Sequence, residues 1–157
     1  MRSNELSMPK DSVEALIQFE WLPVEVEPGV PYLFPNPISR HVHSTCKGPA
    51  LYRWNVFRQT PGDLRVFYVG EAVQLVRRLR NYLRPGSLQT AGRINAELSA
   101  VVEAGKSVML ERLSFSPFSL SGRTVTPDDL EDRHIRRFIE SWLILHHICC
   151  GHRVLNR

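Results

Sequence analysis

The chain has 157 residues, 20 of them Lys or Arg and 16 Asp or Glu, for a formal charge of +4, with 43% apolar and 23% charged residues and three cysteines. These proportions lie near the globular average and exclude a disordered, collagen-like or disulfide-scaffold chain. A chain of this length buries roughly 70% of its unfolded surface, enough for a core without staples, so one compact domain with a short extension is expected. Met1 to Asp11 is polar and lacks the basic-then-apolar order of a secretory leader. From Ser12 to Trp21, Val13, Leu16, Ile17 and Phe19 or Glu20 follow an approximately helical rhythm, and Pro23, Pro28, Pro31, Pro35 and Pro37 come after it. This predicts a short helix and an irregular arm over residues 1–47, docked through Tyr32, Leu33 and Phe34.

Ala50 to Arg58 and Leu64 to Gly70 are rich in aromatic and β-branched residues and flank the turn sequence Thr60-Pro61-Gly62-Asp63, which predicts a β-hairpin. Ala72, Leu75, Val76, Leu79, Tyr82 and Leu83 then recur at helical spacing, ending near Pro85-Gly86, with Arg77, Arg78, Arg80 and Arg84 elsewhere on the helix. A second helix is expected from Ala91 to Ala104, closed by Gly105, and Val108 to Phe115 reads as a strand. The last helix opens at Thr126 as N-cap, with Pro127, Asp128 and Asp129 in its first turn, and runs to about Cys150 before Gly151. The expected fold is α+β over residues 48–157: a small three-stranded sheet flanked by helices in the order β-β-α-α-β-α, with an N-terminal extension.

The longest apolar stretch, Phe138 to Cys150, is broken by Glu140, Ser141, His146 and His147, and falls short of the roughly 20 residues a bilayer requires. A cytoplasmic protein without a membrane partner is expected. Cys46, Cys149 and Cys150 are odd in number and adjacent cysteines rarely bridge, so reduced thiols are expected.

Five polar residues stand out in separate elements: Tyr52 and Tyr68 in the hairpin, Arg78 and Tyr82 one turn apart on the following helix, and Glu140, the one acid in the apolar half of the last helix. Taken singly each has an ordinary explanation. Hairpin tyrosines pack, surface arginines are solvated, and carboxylates pair or stay exposed.

Taken together, Ala50-Leu51-Tyr52, Tyr68-Val69-Gly70, Arg78, Glu140 and Asn156 resemble the motif series of the GIY-YIG nuclease family. The stretch from Tyr68-Val69-Gly70-Glu71-Ala72 through Arg78-Leu79-Arg80-Asn81-Tyr82-Leu83 is most similar to the N-terminal incision domain of the bacterial nucleotide-excision-repair nuclease, and the resemblance covers about residues 48–157. It implies a stand-alone metal-dependent DNA endonuclease acting in repair, restriction or a mobile element, with Tyr52, Tyr68, Arg78, Tyr82 and Glu140 catalytic. Glu140 would bind Mg²⁺, with Mn²⁺ as substitute, because one hard carboxylate with phosphate oxygens and waters completes an octahedral shell. Arg78 would hold the phosphate, and Tyr68 would be the general base or orient the water. A phenol with an ordinary pKa of about 10 is a poor base at neutral pH, so that role needs a cation nearby. Gly70, Glu71 and Asn156 would support the site.

Arg77, Arg80, Arg84, Arg93 and Lys106 form an expected basic track for the DNA backbone, and cutting of both strands would imply a homodimer. The Arg58-to-Arg65 hairpin tip and the N-terminal arm are candidate specificity additions. Two positions depart from the family pattern: Ala50 stands for its first glycine, and Glu71 stands where relatives often carry lysine, serine or threonine. A carboxylate there repels phosphate unless it faces a metal or an arginine such as Arg78.

These departures define an alternative, a catalytically decayed nucleic-acid-binding module. A further alternative is a zinc-bridged interaction protein that joins His41, His43 and Cys46 to His146, His147, Cys149, Cys150 and His152, although their spacing matches no standard zinc module. Trp54, Trp142 and Phe138 are expected in the core.

Overall fold

The computed structural model describes residues 14–57 and 65–156. In chain order the elements are β1 (Phe19–Pro23), β2 (Glu25–Glu27), β3 (Val30–Pro31), α1 (Arg40–Thr45), β4 (Ala50–Phe57), β5 (Val66–Ala72), α2 (Leu75–Leu83) and α3 (Gln89–Glu103). There follow β6 (Ser107–Phe115), β7 (Phe118–Leu120), β8 (Arg123–Val125), a 3₁₀ turn (Pro127–Glu131), α4 (Arg133–Cys149) and β9 (Arg153–Val154). The Thr60–Asp63 turn expected between β4 and β5 lies outside the described residues.

The expected three-stranded sheet is corrected to a five-stranded mixed sheet, ordered β1-β6-β4-β5-β9, with β2-β3 and β7-β8 forming two small sheets beside it. The expected helix at Ser12–Trp21 is not formed over its described part. Residues 14–18 carry no regular structure, and Phe19 to Pro23 pairs antiparallel with Phe115 to Glu111. The physical reason is the exposed edge of β6: pairing satisfies a row of backbone groups there, and that outweighs a short, imperfect helical rhythm. Part of the arm therefore belongs to the sheet. Past β1 the chain continues against β6, with Val24 N–H donating to Leu110 C=O at 2.9 Å and Phe34 N–H to Val108 C=O at 2.9 Å.

At the other edge, β9 pairs in parallel with Val66 and Phe67 of β5. Two residues are too few to show a periodicity. The last helix also differs. Thr126 does form a capping box with Asp129, whose carboxylate accepts from the Thr126 N–H at 2.7 Å, but the box opens the 3₁₀ turn. Asp132 caps α4 itself by accepting from the His134 N–H at 2.7 Å.

Alternation along the central strands separates two cores. Tyr52, Trp54, Tyr68 and Ala72 pack with Leu75, Leu79 and Tyr82 of α2 and Ile94 and Leu98 of α3. Leu51 and Val69 face the opposite way, into Ile139 and Leu143 of α4. Trp54 is fully buried as expected and Trp142 partly so, but Phe138 is 37% exposed on the outer face of α4, a correction to its core assignment. Among the described residues no helix is long and apolar enough to cross a membrane. Cys46, Cys149 and Cys150 are free thiols.

Asn156 extends the β9 edge by a side chain rather than by backbone. Its amide oxygen accepts from the Val69 N–H at 2.9 Å and its amide nitrogen donates to the Val69 C=O at 2.6 Å, so the backbone between Tyr68 and Gly70 is held on both sides. Asn156→Ala is expected to leave both Val69 groups unpartnered and to cost about 1–3 kcal/mol in urea unfolding. A loss below ~0.5 kcal/mol would show that water replaces the clamp.

Candidate active site

Tyr52, Tyr68, Arg78, Tyr82 and Glu140 come from four elements and converge at the end of the sheet where β4 begins and β5 ends. The tyrosine hydroxyls are linked. Tyr52 Oη lies 2.5 Å from Tyr82 Oη, and the Tyr82 hydroxyl donates toward Tyr68 Oη at 3.5 Å. Each phenol has one proton. With Tyr82 donating to Tyr68, Tyr52 must donate to Tyr82, and the Tyr68 proton is left free to point outward.

Exposure follows the same order: Tyr52 and Tyr82 are 1% exposed and Tyr68 is 7% exposed. Burial pushes the Tyr52 and Tyr82 pKa values well above the usual phenol range, with charge on the neighbouring tyrosines raising them further. Those two phenols stay neutral and act as donors. The Asn95 side chain holds the end of α2 by donating to the Tyr82 C=O at 2.6 Å.

Gly70 explains how Tyr52 fits. The two residues are directly paired across β4 and β5, and a Cβ built on Gly70 would lie 2.4 Å from Tyr52 Oη and 2.5 Å from its Cζ. The ring occupies the space of the missing side chain. Ala50, by contrast, is an ordinary strand residue paired with Ala72 and is not among the residues with positive φ, so glycine has no conformational advantage there.

Glu71 does face an arginine, but one the sequence did not point to. Its carboxylate pairs with Arg136 of α4, whose Nε donates to Oε2 at 2.6 Å, and not with Arg78. Arg78 instead donates to the Glu71 backbone carbonyl at 3.4 Å. The Arg136 guanidinium also donates to the carbonyls of Leu130 at 2.7 Å and Glu131 at 3.0 Å. The sequence reading did not single out Arg136. Its one signal is the placement of an arginine four residues before Glu140, on the same side of the last helix.

Because the two side chains are only 6% and 15% exposed, Arg136→Gln is expected to cost about 3–5 kcal/mol by leaving the Glu71 carboxylate unpaired. Adding Glu71→Gln should recover part of that loss. Strictly additive losses in urea titrations would refute the pairing.

Glu140 is half-buried, and burial followed by the Glu71 charge pushes its pKa above the ordinary glutamate range, while Arg137, Arg78 and the Glu71 backbone act in the opposite sense. A carboxylate held in this way fits a divalent cation, which would relieve both the desolvation and the like-charge repulsion. Among the described residues no three or more His, Cys, Asp or Glu side chains are grouped to hold a metal.

The expected basic track is only partly assembled. Arg77 and Arg80 are exposed on the first half of α2, near the site. Arg93 is engaged elsewhere, donating to Glu97 at 2.8 Å and to the Leu155 carbonyl at 3.1 Å. Lys106 precedes Ser107, which pairs with Phe57 at the far end of β4, and Arg84 caps the distal end of α2. Lys106 is thus remote from the tyrosine cluster, whereas Arg84 closely follows Tyr82 in the chain.

The histidines and cysteines do not form a bridge. Cys46 packs into the core on the α2 face, whereas His147 lies on the α4 face, stacked on Phe67 at 4.3 Å and on Trp21 at 6.2 Å between ring centres. The sheet separates them. His147 Nε2 lies 3.4 Å from Arg53 Nη1, and burial together with that cation lowers its pKa to about 4. Arg53 is in turn paired with Glu111 at 2.5 Å and stacked over Trp21 and Phe67, forming a structural polar core on this face. Comparison of the chain with protein-family models, curated proteins and solved structures finds no match.

Proposed function

We propose that this chain is a metal-dependent DNA endonuclease of the GIY-YIG type that hydrolyses phosphodiester bonds at the site formed by Tyr52, Tyr68, Arg78, Tyr82 and Glu140. The observation that carries this reading is the convergence of three hydrogen-bonded tyrosines, an arginine and a desolvated carboxylate from β4, β5, α2 and α4. Hydrolysis joins a water oxygen to phosphorus, breaks one backbone P–O bond, and builds negative charge on the phosphate and leaving oxygens.

Each residue has a place in that reaction. Arg78, fixed against the Glu71 carbonyl, presents its guanidinium to the non-bridging oxygens. Tyr68 is the least buried of the three tyrosines, so it would orient the water; to act as base it must first release its own hydroxyl proton to solvent and then take up the water's proton, while the Tyr82 hydroxyl donates to the same oxygen and steadies the charge there. Tyr52 completes the relay from behind. Glu140 would hold Mg²⁺ or Mn²⁺, which when bound polarises the phosphate and stabilises the leaving oxygen. Two observations support this reading despite the departures from the family pattern: the backbone at Ala50 needs no glycine, and the Glu71 carboxylate is paired with Arg136.

The test is cleavage of supercoiled plasmid and of branched or damaged DNA with Mg²⁺ or Mn²⁺, beside a Glu140→Ala control shown to be folded. Cutting by the wild type alone supports the nuclease reading, and the product pattern separates restriction from structure-specific cleavage. Equal binding without cutting by either protein would replace it with the non-catalytic binding module.

A further inference from the structure

A cleft of about 430 Å³ opens between the α1–β4 connection and α2, lined on the helix side by residues that flank Arg78 in sequence. Its basic side chains come from two separate parts of the chain, Lys47 from the N-terminal segment, where His43 also lines the cleft, and Arg77 with Arg80 from α2. Lys47, Arg77 and Arg80 are exposed, and among the described residues none of the three is in an ion pair. The acid on its lining is Glu131, so the cleft carries a surplus of positive charge.

Two features tie the cleft to the candidate active site: Arg77 and Arg80 ride on α2, the helix that carries Arg78 and Tyr82, and the Glu131 carbonyl is bound by the same Arg136 guanidinium that pairs with Glu71. On its far side Cys46, Lys47 and Gly48 also line a second cavity of about 250 Å³ that reaches Arg112. Arg112 is exposed and donates to the Thr45 carbonyl at 3.1 Å, bracing the segment that carries Lys47.

We propose that this cleft binds the phosphodiester backbone of the DNA strand on one side of the scissile phosphate, and that the N-terminal segment thereby supplies one wall of the substrate channel. The inference rests on the nuclease reading and extends it. An open groove lined by Lys47, Arg77 and Arg80, none of them ion-paired among the described residues, matches a polyanionic chain, because neutralising successive phosphates releases counterions without requiring base contacts. It also revises the basic track: Lys47 and His43 join it with Arg77 and Arg80, while Arg93 and Lys106 leave it.

The test uses the full chain and a fluorescent duplex oligonucleotide, with anisotropy measured without divalent metal across a salt series and cleavage measured separately with Mg²⁺. Lys47→Gln and Arg77→Gln are compared with the wild type and with Arg153→Gln, an exposed position paired with Val66 at the opposite end of β5. Each cleft variant is expected to lower the slope of log K against log salt by about 1, and the double variant by about 2, with the thermal midpoint unchanged. Arg153→Gln should leave the slope within error of the wild type.

If the wild type cleaves but the cleft variants bind like Arg153→Gln, the channel assignment is wrong and the nuclease reading survives. If the wild type binds the duplex with the expected slopes but does not cleave, the cleft stands and the catalytic reading falls. Absence of both binding and cleavage would overturn both.

Discussion

Glu140→Gln is expected to reduce Mg²⁺-dependent DNA cleavage by at least about 10²–10³-fold, the scale on which removal of one electrostatic element of a transition-state site is felt. The same substitution should leave the protein at least as stable as the wild type at neutral pH. This second expectation follows from the sign of the pKa shift. The folded state raises the Glu140 pKa through burial and the Glu71 charge, so it holds the proton more tightly than the unfolded chain. The contribution of Glu140 to stability therefore declines as pH rises from the ordinary glutamate pKa through the raised folded value, and remains unfavourable above it. A neutral isostere removes that dependence. Thermal midpoints measured from pH 4 to pH 8, beside cleavage rates, check both parts. A variant that loses activity only because it unfolds at neutral pH would contradict the assignment of Glu140 as a destabilised functional carboxylate.

Gly70→Ala is expected to damage stability and activity together, although alanine is the smallest possible addition. The new Cβ would meet Tyr52 Oη at 2.4 Å and Cζ at 2.5 Å, well inside van der Waals contact. Tyr52 cannot move aside cheaply. Its ring is buried in the α2-face core and its hydroxyl is bonded to Tyr82. Overpacking of this kind costs about 1–3 kcal/mol, a fall of roughly 2–12 °C in Tm.

The displacement would also break the hydroxyl chain to Tyr68, and misplacement of a reacting group by about 1 Å costs on the order of 10²-fold in rate. A double-mutant cycle isolates the contact. In a Tyr52→Leu background, where the ring atoms are gone, Gly70→Ala should cost far less than in the wild type. An equal cost in both backgrounds would mean that the glycine is required for some other reason.

The helical periodicity of Leu75, Leu79 and Tyr82 and the aromatic, β-branched runs at Ala50–Phe57 and Val66–Ala72 were legible because each is a local pattern, the first reporting one buried helix face and the second strands buried on both sides. The stretch at Ser12–Trp21 misled because Phe19 and Trp21 suit either period. The choice was made by the open edge of β6, a partner almost a hundred residues away. Strand β9 was illegible for the opposite reason: its two residues are held by β5 and by the Asn156 clamp, and carry no pattern of their own.

The candidate site divides along the same line. The chain alone determined the kinds of chemistry available, phenols, guanidinium and carboxylate in a particular order, and the elements on which most of them ride. Tertiary structure decided the rest: which tyrosine is least buried, why Gly70 must lack a side chain, that Glu71 is answered by Arg136 rather than Arg78, and that Lys47 and Arg77 line one cleft. Hydrogen-bond order, cross-strand contact and charge pairing act through distances between residues far apart in sequence. Such distances have no period along the chain, and arise only when the sheet and its helices close around them.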